Sequence, residues 1–103
     1  MIRLSNLRDK PARRDKNERA IVQALRTAGA TVTQLSRTGA PDLLVGYNGQ
    51  NFLIEVKSKH GKLNEYQELW HNTWQGQAAI CHTPEQALAV IGCISKRGHV
   101  TKK

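Results

Sequence analysis

At 103 residues the chain can build one small domain around one core, and it is too short for two. Its 16 Lys and Arg against 8 Asp and Glu give a net charge of +8, concentrated at the ends: Arg3, Arg8, Lys10, Arg13, Arg14 and Lys16 at the start, Lys96, Arg97, Lys102 and Lys103 at the finish. This pattern suits a polyanionic partner, bound with an affinity that falls steeply with salt, the competing view being basic ends that merely keep the chain soluble. No apolar run has signal-peptide length or approaches the ~18 residues of a membrane span. Cys81 and Cys93 form no CxxC or Cys/His array of zinc spacing. The expectation is a soluble, cytoplasmic protein with reduced thiols, no structural zinc and no membrane contact.

Residues 1–14 are polar and basic around Pro11 and read as a flexible arm. Asp15-Lys16-Asn17-Glu18 has the form of a capping box, and Ile21, Val22, Leu25 and Ala28 follow at helical spacing until Gly29, predicting a helix over 15–28. Residues 30–36 alternate and are rich in β-branched side chains, which predicts a strand. A loop over 37–41 leads into two apolar runs, 42–47 and 51–58, on either side of Asn48-Gly49, a strong signal for a two-residue type I′ hairpin. Beyond His60-Gly61-Lys62, the residues Leu63, Tyr66, Gln67, Trp70 and Trp74 share one face of a second helix ending near Gly76. Residues 77–82 predict a fourth strand. Thr83-Pro84-Glu85-Gln86, with a capping residue, a first-turn proline and a Gln three residues after the cap, opens a last helix to about Ile91. The order α-β-β-β-α-β-α implies an α/β fold, a mixed sheet with flanking helices.

The hairpin register carries the chemistry. If Tyr47 and Gln50 close the turn as a pair, paired numbers sum to 97, so Phe52 meets Val45, Leu53 meets Leu44, Ile54 meets Leu43 and Glu55 meets Asp42. Like charges directly opposed across a ladder destabilise it. A cation is therefore expected between them, and Lys57, two residues beyond Glu55, lies on the same face. Leu43, Val45, Phe52, Ile54 and Val56 supply the core face, and the acids share the opposite face with Leu44 and Leu53, which is expected to be covered as well. The competing view is an ordinary solvated hairpin edge. Two carboxylates and a lysine converging at one spot instead suit a divalent cation and an activated water.

From about Glu18 to Ala87 the chain resembles the PD-(D/E)xK nucleases, in particular their small virus-type replication-repair (VRR-NUC) branch, whose members resemble Holliday junction resolvases. The resemblance rests on Glu18 in the first helix, Pro41-Asp42, Glu55-Val56-Lys57 after twelve intervening residues, Gly61-Lys62-Leu63, and Gln67 in the following helix. It implies a restriction-endonuclease-like sheet over residues 15–92, with 93–103 as a basic tail. It also implies Asp42 and Glu55 as ligands of Mg²⁺ or Mn²⁺, hard cations that prefer oxygen donors, with the Val56 carbonyl as a further ligand. Lys57 would orient or deprotonate the attacking water and offset phosphorane charge. Gln67 would touch the metal shell or a phosphate. Glu18 is either a metal-linked acid or a helix-capping one.

DNA contacts are expected from Arg13, Arg14, Arg37, Lys59, His60 and Lys62. Trp70 and Trp74 fit core or dimer contacts better than base stacking, and His71 and His82 read as structural. The resulting expectation is a Mg²⁺-dependent DNA endonuclease, homodimeric, selective for branched, junction-like DNA, in a bacterial host cell and of phage or mobile-element origin. Its rivals are a non-catalytic nucleic-acid-binding module, or an endonuclease for flapped, nicked or ordinary duplex DNA.

Overall fold

The computed structural model describes residues 16–93. The basic arm with Arg13 and Arg14, the Asp15 cap and the basic tail from residue 94 lie outside the described residues. Helix α1 (Lys16–Thr27) leads to β1 (Thr31–Gln34), and a loop connects to the hairpin β2 (Leu43–Tyr47) and β3 (Gln50–Val56). Helix α2 (Glu65–Thr73), β4 (Ala79–Cys81) and helix α3 (Pro84–Val90) complete the chain. The order α-β-β-β-α-β-α is as expected. The four strands form one sheet in the order β1-β2-β3-β4, antiparallel up to β3 and parallel between β3 and β4, so α2 is the crossover that parallel pairing requires.

The hairpin forms in the expected register, from Tyr47↔Gln50 to Leu43↔Ile54. Asn48 and Gly49 both have positive φ, 55° and 80°, as a type I′ turn requires. Successive residues then face opposite sides. Leu43 and Val45 of β2 and Ile54 and Val56 of β3 join Cys81, Ile21, Val22 and Leu25 of α1, Ala87 of α3 and Ile91 in one buried cluster. The core therefore lies on the face covered by α1 and α3.

The other face departs from expectation. Leu44 is 40% exposed and Ile80 41%, so this face is open at its middle rather than covered. Helix α2 shelters only its acidic end. The predicted apolar stripe of this helix is not a packed one: among its residues only Gln67 is buried, while Tyr66 and Leu69 are exposed. The helix is also shorter than its pattern implied. Leu63 precedes it, Asn64 caps it, and Trp74 is already extended, stacking on Trp70 at 4.6 Å between ring centroids and donating its indole N–H to the Gln77 carbonyl at 3.1 Å. The tryptophans thus tie down the α2–β4 connection.

Strand β4 is shorter than predicted because Gln77 pairs through its side chain, its Oε1 accepting from the Leu53 amide at 2.9 Å. At α3, Thr83 caps the helix by accepting from the Gln86 amide at 3.1 Å. The Gln86 side chain reaches past the cap to accept from the His82 N–H at 2.6 Å, so the expected reciprocal box is displaced by one residue.

Candidate active site

The site is built where the hairpin ladder runs out. Continuing the observed register would pair Asp42 with Glu55 and Pro41 with Val56. Pro41 has no N–H to exchange, so the ladder cannot continue as a two-way pair. The Asp42 carboxylate takes the place of a strand partner, its Oδ2 accepting from the Val56 amide at 2.8 Å. The Asp42 carbonyl meanwhile accepts from the Leu35 amide at 2.7 Å, extending the β1 edge by one bond. A proline directly before an aspartate thus ends β2 and pins the acid against β3.

Glu55 is 1% exposed and Asp42 6%. Burying a carboxylate costs several kcal/mol unless positive charge and donors offset it. For Glu55 the offsets are Lys57, whose Nζ lies 3.6 Å from Oε2, and Gln67, whose Nε2 donates to the same oxygen at 3.0 Å. The lysine contact is an ion pair longer than a hydrogen bond, and an ammonium carries three donors, so Lys57 can serve another acceptor at the same time.

Gln67 arrives already oriented by its own helix. Asn64 and Gln67 form a reciprocal capping box: the Asn64 side chain accepts from the Gln67 amide and Gln67 Oε1 accepts from the Asn64 amide, each at 2.9 Å. With its oxygen committed to the cap, the Gln67 amide nitrogen is the end that reaches Glu55. The loop before Asp42 is seated against α2 as well. Gly39 has φ +88°, and a Cβ there would lie 3.2 Å from the Tyr66 carbonyl oxygen, so only glycine allows both the backbone conformation and the close approach.

Glu18 is buried in α1, where its Oε2 accepts from Gln34 Nε2 at 2.9 Å. Among the described residues no three His, Cys, Asp or Glu side chains form a metal-holding group. The two acids and the Val56 carbonyl are all hard oxygen donors. A carboxylate offers about four acceptor sites on its two oxygens, so the hydrogen bonds to Val56 and Gln67 are compatible with a cation on each acid. A pair of carboxylates completed by water and phosphate oxygens is a usual Mg²⁺ arrangement, and the donor set fits that ion. Arg37, Lys59, His60 and Lys62 are exposed on the loops that follow β1 and β3.

Three residues not among the expected site residues bear on the site. Gln34 holds Glu18. Asn17 Nδ2 donates to the Lys57 carbonyl at 2.9 Å, and His82 Nδ1 lies 2.9 Å from the Ser58 carbonyl. Asn17 carries no signal beyond its place in the Asp15-Lys16-Asn17-Glu18 capping segment, and His82 none beyond its place at the end of an apolar run.

No protein-family model and no curated protein matches the chain. A solved structure described as a "VRR_NUC domain" is similar: 24% identity, a TM-score of 0.61, and an alignment covering 74% of this chain and 90% of that one. The element order, the mixed four-stranded sheet and this superposition together show that the chain has the fold of a VRR_NUC domain.

Proposed function

We propose that the protein is a divalent-metal-dependent nuclease of the PD-(D/E)xK type that hydrolyses phosphodiester bonds in DNA. The observation that carries this reading is the buried Glu55 carboxylate held between the Lys57 ammonium and the Gln67 amide, next to the pinned Asp42, at the sheltered end of the otherwise open sheet face. Structural ion pairs are seldom buried for stability, since well-packed apolar residues do as well or better. A buried acid–lysine constellation ending in exposed basic loops suits phosphoryl chemistry.

Asp42, Glu55 and the Val56 carbonyl would hold Mg²⁺ or Mn²⁺, which supplies charge stabilisation and a lowered water pKa when bound. As the ammonium, Lys57 would orient the attacking water and face the developing negative charge on phosphorus; it would accept the water's proton only as the neutral amine, after releasing its own proton to solvent. Gln67 acts on Glu55, fixing the carboxylate's orientation. Glu18 fits an outer role, reaching the site through Gln34 or water. Arg37, Lys59, His60 and Lys62, with Arg13 and Arg14 of the arm, would neutralise phosphates.

The net charge of +8 suits DNA as the substrate. A homodimer acting on branched DNA remains the preferred form of the reading, since two equivalent sites can address two strands. The test uses labelled four-way junction, flap and linear duplex DNA with Mg²⁺, with EDTA, and with the Glu55→Ala chain. Cleavage that needs Mg²⁺ and is lost in Glu55→Ala is expected, with the junction cut fastest. Binding that survives EDTA with no product from any substrate would assign the chain to the non-catalytic binding class instead.

A further inference from the structure

We infer that Asn17 and His82 are positioning residues that clamp the Lys57–Ser58 backbone and so aim the Lys57 ammonium. Lys57 lies one residue beyond the end of β3, where regular pairing has stopped, and its ammonium is reached through four rotatable side-chain bonds. A lysine so placed would sample a wide volume. Its backbone is instead held at every polar atom. Its N–H donates to the Cys81 carbonyl at 3.0 Å. Its carbonyl accepts from Asn17 Nδ2 at 2.9 Å and lies 3.2 Å from His82 Nδ1. The next carbonyl, that of Ser58, lies 2.9 Å from the same ring nitrogen.

The hydrogen placement follows from the acceptors. Carbonyl oxygens only accept, so two of them converging on His82 Nδ1 require that nitrogen to carry its proton. The same reasoning orients the Asn17 amide, whose Nδ2 faces both the Lys57 carbonyl and the His82 carbonyl, the latter at 3.3 Å. The start of α1, the end of β3 and the end of β4 are therefore joined at one point. Asn17 directly precedes Glu18, so the same helical turn that delivers the buried acid to Gln34 also holds the lysine's backbone. Asn17 and His82 act on the backbone carbonyls of residues 57 and 58, which makes their effect one of geometry.

This inference rests on the nuclease reading for its consequence and on the backbone contacts alone for its existence, and the test separates the two. In the full-length chain, ¹⁵N relaxation is measured at the amides of residues 57–59 for the native sequence, Asn17→Ala, Asn17→Asp, His82→Ala and His82→Asn. Asp keeps the volume of Asn and removes its donor. Asn can place a donor where His82 Nδ1 stands. Order parameters near the rigid value of ~0.85 are expected for the native chain and His82→Asn, with a clear fall for the other three.

Single-turnover cleavage at saturating enzyme should follow the same order. A loss of about 10-fold or more is expected in Asn17→Asp and His82→Ala, with DNA affinity unchanged and the rate restored in His82→Asn. In a Lys57→Met background, where the rate is already reduced, Asn17→Asp should cost nothing further, because the group it aims is gone. Unchanged order parameters at 57–59 in Asn17→Asp and His82→Ala would overturn the clamp. Additive losses in the Lys57→Met background, or a loss matched by weaker DNA binding, would overturn the positioning role. Absence of cleavage by the native chain with either Mg²⁺ or Mn²⁺ would sink the nuclease reading and leave the relaxation data to decide the clamp.

Discussion

The two faces of the hairpin are made by alternate residues of the same two strands and meet different fates. On one face Leu43, Val45 and Ile54 are fully buried beneath α1 and α3. On the other, Leu44 is exposed, and full burial returns at the acidic end, where α2 delivers Gln67. One face is closed by apolar packing, with Tyr47 and Phe52 toward the turn only partly buried, the other by polar contacts at its acidic end. The first can supply stability, roughly 25 cal/mol for each Å² of apolar surface removed from water. The second carries the ionisable groups and leaves room beside them, an arrangement suited to a substrate.

The largest expected effect that sharpens this contrast is on the closed face. Ile54→Ala should lower unfolding stability by about 2–5 kcal/mol, the range for removing a fully buried branched side chain. Urea denaturation followed by circular dichroism measures it. A loss under 1 kcal/mol would mean that the two faces are energetically alike.

The acidic end of the open face should respond to chemistry rather than volume. Asp42→Asn keeps an oxygen acceptor for the Val56 amide and removes one of two neighbouring negative charges, so metal-free stability should hold or rise slightly. Asp42→Ala leaves that buried amide without its partner and should cost about 1–3 kcal/mol. Both should abolish cleavage. Equal destabilisation by the two substitutions in thermal melts would break the assignment of Asp42 Oδ2 as a substitute strand partner.

A smaller effect separates the faces by pH. Burial pushes the Cys81 thiol up from its ordinary value of 9.0 to about 11. Between those values the unfolded chain loses this proton and the folded chain keeps it, so unfolding is favoured as the pH rises. The contribution is fully present below about pH 9 and is lost toward pH 11. Melts at pH 8, 9, 10 and 11 should show that decline, with a shallower slope in Cys81→Ala. An identical slope in both chains would remove Cys81 from the core side of the comparison. The smallest effect belongs to the middle of the open face: Leu44→Ala should stay within about 0.5 kcal/mol of the native chain, the usual range for a surface substitution.

What the sequence determined by itself is whatever depends on neighbours along the chain. Asn48-Gly49 dictated the turn, and the turn dictated a register that runs from Tyr47↔Gln50 to Leu43↔Ile54, toward Asp42 and Glu55, with Lys57 on the Glu55 side. Pro41, Thr83 and the helical spacing of Ile21, Val22 and Leu25 acted over similarly short spans. The tertiary structure alone decided the rest. Gln67 lies twelve residues from Glu55, Gln34 sixteen from Glu18, and Asn17 forty from Lys57.

The exposure of the α2 stripe was equally invisible, because helical spacing records which residues share a face and not whether anything packs on it. The same holds for the half-open sheet face, where Leu44 and Leu53 pattern like core residues. Periodicity and turn chemistry are local properties of the backbone. Which carbonyl an asparagine amide reaches depends on how separate elements pack, and no single segment carries that information.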